Sequence, residues 1–114
     1  MSDTIFGKIA AGEMAADVVY EDDDVVAFRD IHPQAPVHIL IIPRRSIPTL
    51  NDVNDNDAEL MGKLLLTAAR IAAQEGIADA GYRTVINCNA QAGQTVFHLH
   101  VHLLGGRALQ WPPG

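Results

Sequence analysis

The sequence predicts an α+β fold: one five-stranded antiparallel sheet, laid out as a meander, with two helices covering it. Three observations point there. Three strand-like runs precede the one long stretch with helical spacing, two more follow it, and short connections separate the elements. At 114 residues the chain fits a single domain, 1–114, with a real core.

A short helix opens the chain over "TIFGKIAA", with Asp3 as its cap, Ile5 and Ile9 on one face, Phe6 beside them and Gly12 placed to end it. "DVVYE" and "VVAFRD" form a hairpin across the acidic run Glu21 to Asp24, which reads as a solvated turn rather than a metal site. "PVHILIIP", between Pro36 and Pro43, is apolar apart from His38 and fits a strand buried on both faces. "DNDAELMGKLLLTAARIAAQEG" is the main helix. Asn56 with Glu59 resembles a capping box, Leu60, Leu64, Ala68 and Ile71 form the buried stripe, and Gly76 suits the position after the last turn. "YRTVINC" and "VFHLHVHLL" are the last two strands, joined by the loop "NAQAGQT".

Composition excludes some functions. A formal net charge of −6 repels polyanions at long range and speaks against nucleic acid, though backbone N–H groups can still hold a small phosphate. No apolar run approaches the roughly 18 residues of a membrane span and no signal pattern opens the chain, so a cytoplasmic home with no membrane partner is expected. Cys88, the only cysteine, cannot form an internal disulfide and reads as a semi-buried core thiol.

The chemistry gathers near the C-terminus, in "HLHVHLL". On a strand, His98, His100 and His102 would line one face while Leu99, Val101 and Leu103 pointed to the other. Crowded imidazoles disfavour one another's protonation, so neutral rings are expected near pH 7, and a neutral ring serves as nucleophile or metal ligand. No carboxylate lies within ten residues of the run, which lowers a zinc reading, although a distant partner stays open.

Just upstream, Gly93, Gln94 and Thr95 in "NAQAGQTVF" resemble an anion-binding turn, with the glycine freeing the backbone and two side chains adding donors. Turn and histidines together suit nucleophilic phosphoryl or nucleotidyl transfer.

The run His98-Leu99-His100-Val101-His102-Leu103-Leu104, with "TIFGKI", "FRDIHPQAPVHILIIP" and "LLGGRALQWPPG", resembles the histidine triad family, specifically its nucleotide-binding branch. The resemblance implies a histidine triad fold whose sheets join across a homodimer. It implies an enzyme that hydrolyses purine nucleoside phosphoramidates to AMP or GMP and an amine, with no metal or other cofactor.

By that resemblance His100 attacks the α-phosphorus, His102 binds a phosphate oxygen and assists protonation near the leaving group, and His98 and His38 support orientation and tautomer. Asp30 would accept the ribose hydroxyls, and Ile5, Phe6, Ile9, Phe28, Ile31 and Leu40 would form the base slot. Asn87, Gly93, Gln94 and Thr95 would hold the phosphate side, and Trp111 would lie near the partner subunit's site. The bland reading of the apolar set is core, and core plus slot wall combines both. Thr95 in place of a common serine, His32 and "CNAQA" depart from the usual family forms, which bears on leaving-group preference and rate. The competing readings are a nucleotide-binding adaptor, a dinucleoside polyphosphate hydrolase and a zinc-binding protein.

Overall fold

Alternating side chains along the strands divide the molecule into layers. The structure is a computed structural model that describes residues 4–114. The strands are β1 (Val18–Glu21), β2 (Val25–Arg29), β3 (Val37–Pro43), β4 (Tyr82–Val85) and β5 (Val101–Gly105), all paired antiparallel. On one face Val25, Ala27, Ile39, Ile41, Val101 and Leu103 pack under helix α2 (Ala58–Gln74) with its Leu64, Ala68 and Ile71. On the other, Val26, Phe28, Leu40 and Ile42 meet helix α1 (Ile5–Ala10). β3 is thus buried on both faces, which explains its nearly continuous apolar run.

The five antiparallel strands and two helices are those expected, but the sheet order is β1-β2-β3-β5-β4, not a meander throughout. The last strand enters between β3 and β4. That position buries Val101 and Leu103 completely and leaves the half-polar β4, with Tyr82 and Thr84 exposed, at the edge.

The histidine run is not one continuous strand. Only His102 lies in β5, while His98 and His100 occupy the irregular lead-in. The β3–β5 register pairs Ile41 with Val101, and carrying it on would set Pro43 opposite Leu99. Proline has no N–H for the ladder, and the Leu99 N–H is instead taken by the Ile47 carbonyl. β4 loses its partner at the same level and stops at Val85, short of the expected Cys88.

Thr4 caps α1, its hydroxyl accepting from the Gly7 N–H at 2.9 Å; Asp3, the expected cap, lies outside the described residues. The capping box before α2 falls two residues earlier than expected, on Asn54 and Asp57, because a short 3-10 turn precedes the helix. Gly76 does follow the helix C-terminus, at φ +76°. In the β1–β2 turn the Asp22 carboxylate accepts from the Asp24 and Val25 N–H groups, as a turn-forming side chain does.

Candidate active site

Register brings His38 to the histidine run. His38 stands opposite Leu104, so His102 is its diagonal neighbour on β5 and both side chains rise from the α1 side of the sheet. His38 Nε2 and His102 Nδ1 are 2.9 Å apart. Asp30, where the chain turns out of β2, adds a carboxylate oxygen 3.4 Å from the same His38 nitrogen. The carboxylate missing near the run in sequence is therefore supplied by the end of β2, two strands across the sheet from β5.

Backbone groups assign the tautomers. The Gln34 N–H donates to His38 Nδ1 at 3.0 Å, so His38 carries its proton on Nε2 and donates it to His102 Nδ1. Neutral His102 then holds its proton on Nε2, an atom with no hydrogen-bond partner among the described residues. The His98 carbonyl accepts from His100 Nδ1 at 2.7 Å, which leaves the lone pair of His100 on Nε2. One ring presents a nucleophilic nitrogen and its neighbour presents a donor.

Burial keeps the rings neutral. It pushes His100 and His38 below the ordinary histidine value, against a smaller opposing pull from the Asp30 charge. His102 falls to about 4, chiefly through burial and then through the neighbouring His100 and His38. The Phe6 ring stands edge-on to His100 at 4.9 Å between centroids and 87°, which fixes the His100 plane from the apolar side.

These rings line a cavity of about 750 Å³. Ile5, Phe6, Ile9, Phe28 and Leu40 form its apolar wall, and Ile31 stands on the rim, 86% exposed. Asp30, Asn87, Gly93 and Thr95 also reach it. Three of the expected residues do not. His98 is fully buried, with its Nε2–H on the Pro43 carbonyl at 2.7 Å; it is its backbone carbonyl that serves the site. Trp111 is 79% exposed and rests near the Arg83 guanidinium.

Gln94 is the third, and its side chain is fully used within the protein. Its amide donates to the Pro48 and Val96 carbonyls and its oxygen accepts from the Asn89 N–H, so it braces the loop instead of offering a donor to a phosphate. The brace holds Asn89 at φ 67°, a strained conformation, while Gly93 takes φ +89° without penalty.

Met14, Ala15, Ala16 and Asp17 line the far side of the cavity, and nothing in "GEMAAD" announced them. Gln34 was equally silent, because its backbone does the work.

The HIT domain model matches residues 11–109. This chain belongs to the HIT family. It is 56% identical over 107 residues to the purine nucleoside phosphoramidase of Escherichia coli K12, covering 94% of this chain and 90% of the relative. It is 54% identical over 114 residues to a 14 kDa zinc-binding protein of Brassica juncea, covering 98% of this chain and all of the relative. Among solved structures, the HIT family hydrolase from Legionella pneumophila Philadelphia 1 superposes with a TM-score of 0.97 at 54% identity, covering 98% of this chain and 100% of that one. In HIT terms the three motif histidines divide their labour: His100 and His102 face the cavity, and His98 supports them from beneath.

Proposed function

We propose that this HIT protein is a purine nucleoside phosphoramidase, working through a nucleotidyl-histidine intermediate. The observation that carries the reading is the tautomer pair: the His98 carbonyl leaves the Nε2 lone pair on His100, while the chain from Gln34 through His38 leaves an N–H on His102 Nε2.

His100 Nε2 attacks the α-phosphorus and the P–N bond breaks. The departing amine takes the Nε2 proton of neutral His102, whose transient negative charge is balanced by the cationic phosphoimidazolium formed on His100 until water returns the proton. Water then attacks the nucleotidyl-histidine, the N–P bond breaks, His102 accepts the water's proton, and the nucleoside monophosphate leaves. Water plus phosphoramidate thus gives monophosphate plus amine, with His100 regenerated.

Asp30 takes the ribose hydroxyls, and the wall of Ile5, Phe6, Ile9, Phe28 and Leu40, with Ile31 at its rim, takes the purine. Asn87, Gly93 and Thr95 hold the phosphate side. Asn87 suits that role because it lines the same cavity as His100 and His102.

The Brassica relative's name raises a zinc reading, and Asp30, His38 and His102 offer three ligand atoms within 4.8 Å of one another. The tautomers speak against it. His38 Nδ1 already accepts the Gln34 N–H, so the nitrogen facing the trio carries a proton where a metal needs a lone pair. No step is assigned to a metal.

A homodimer belongs to the same proposal. Tyr82 at the free edge of β4, and Leu65 and Leu66 on α2, are large apolar side chains exposed on the single chain, and a paired edge would cover such a surface. Trp111 would then lie by the partner's cavity. A cytoplasmic location is part of the proposal, and among the described residues no helix is long and apolar enough to cross a membrane.

Release of AMP from adenosine 5′-phosphoramidate by the purified protein, with excess chelator present, tests the reading. Turnover supports it; AMP binding without turnover would favour the nucleotide-binding adaptor instead.

A further inference from the structure

The loop of residues 31–36 between β2 and β3 is clamped by the chain that leaves β5. Gly106, at φ +89°, sits so close to it that an added Cβ would lie 2.9 Å from the Pro36 Cβ, so only glycine fits there. The next residue, Arg107, donates from Nε and Nη2 to the Gln34 carbonyl at 3.1 and 3.0 Å. Its third nitrogen, Nη1, donates to the Ala108 carbonyl at 3.0 Å. Gln34 also closes the loop on itself, its side-chain amide donating to the His32 carbonyl at 3.0 Å.

Gln34 is thereby held from both sides of one residue: its carbonyl by Arg107, its N–H against His38 Nδ1. We propose that Arg107 is a positioning residue for proton delivery, its two-pronged grip on the Gln34 carbonyl keeping the Gln34 N–H on His38 Nδ1 and hence the His38 proton on Nε2. The inference rests on the phosphoramidase reading for its catalytic consequence, but not for its effect on the tautomer.

A neutral imidazole chooses its tautomer by the bonds offered to its two nitrogens. If Gln34 draws back, His38 no longer has a donor at Nδ1, and its proton is free to move there. His38 Nε2 then faces His102 as a lone pair, so His102 must put its own proton on Nδ1 to make the 2.9 Å contact. That empties His102 Nε2 of the hydrogen the leaving amine requires. Arg107 does not line the cavity, so its loss acts through this chain of bonds and not by removing a substrate contact. Guanidinium suits the task because its nitrogens present several N–H donors in a fixed plane.

The test compares wild type, Arg107→Ala and Arg107→Lys by two readouts. The first is the nitrogen-15 NMR signature of the His38 ring in the ligand-free protein, which separates a protonated Nδ1 from a protonated Nε2. The second is kcat and KM for an adenosine phosphoramidate with an alkylamine leaving group and for an adenylate aryl ester, whose phenolate departs without a proton.

Arg107→Ala is expected to raise the Nδ1-protonated fraction of His38. Its kcat on the alkylamine substrate should fall about tenfold, within the roughly hundredfold that a small misplacement at a reacting centre can cost. KM and the aryl-ester rate should stay near wild type, and Arg107→Lys should restore part of both readouts. An Arg107→Ala protein whose His38 keeps Nδ1 unprotonated, or whose two substrates slow equally, overturns the proposal. Should that variant not fold, Arg107→Lys carries the same comparison at smaller amplitude. If wild type turns over neither substrate, the phosphoramidase reading fails by itself, and the NMR comparison still decides whether Arg107 sets the His38 tautomer.

Discussion

His38 Nε2 and His102 Nδ1 lie 2.9 Å apart although 64 positions separate them in the chain. The contact joins the one polar residue of an apolar strand to the last histidine of the motif, and it orients the donor on His102. Any change that breaks it should be felt in the chemistry before it is felt in the fold.

In the proposed reaction His100 carries the nucleophilic nitrogen. His100→Ala is expected to lower kcat by about 10⁴-fold or more while AMP still binds, the pattern of a group needed for bond making and not for ground-state affinity. Single-turnover kinetics with calorimetry of AMP binding check both halves, and near-normal turnover would remove His100 from its role.

Acid should unfold the protein partly through this cluster. His102 sits at about 4, and His38, His98 and His100 lie below their ordinary 6.5. Because the unfolded chain binds these protons more readily, unfolding takes up protons, and stability is lost as pH falls from about 6.5 toward about 4. Urea denaturation across that window should show the decline, and His102→Gln should make it shallower. Equal slopes in the two proteins would mean that His102 contributes nothing to it.

Gln94 is expected to matter as a brace. Gln94→Ala strands the Asn89 N–H and the Pro48 and Val96 carbonyls, which should cost about 1–3 kcal/mol of stability. Loss of activity should follow loop distortion near Thr95 and Gly93. A variant with wild-type thermal stability but weakened phosphate binding would instead restore Gln94 to direct ligand contact.

Excess chelator should leave turnover unchanged, since the Gln34 N–H occupies His38 Nδ1 and the opposing nitrogen carries the proton. Elemental analysis of the purified protein, run alongside, should find no stoichiometric zinc. Activity lost to chelator and regained with zinc would count decisively for the metal.

Removing residues 111–114 should change the ratio of rates between bulky and small amine substrates more than it changes thermal stability, because Trp111 is 79% exposed on the single chain. Sedimentation of wild type and of the same variant reports whether the proposed dimer forms and whether it needs the tail. An unchanged substrate profile would separate the tail from the site.

The alternation of Leu99, Val101 and Leu103 with histidines, the apolar span of β3 and the spacing along α2 were legible in the residues alone, because each is a local period matched to one repeating geometry. So was the concentration of three histidines in five residues, although not which of them would face the cavity. The tertiary structure decided the rest. It set Pro43 opposite the lead-in and so cut the histidine strand short, inserted β5 beside β3, brought Asp30 to the cluster, turned Gln94 inward and put Gln34 and Arg107 behind His38. Strand order, register and backbone hydrogen bonds depend on which segments meet across the whole chain, and a carbonyl or N–H leaves no mark in the side-chain pattern from which the sequence is read.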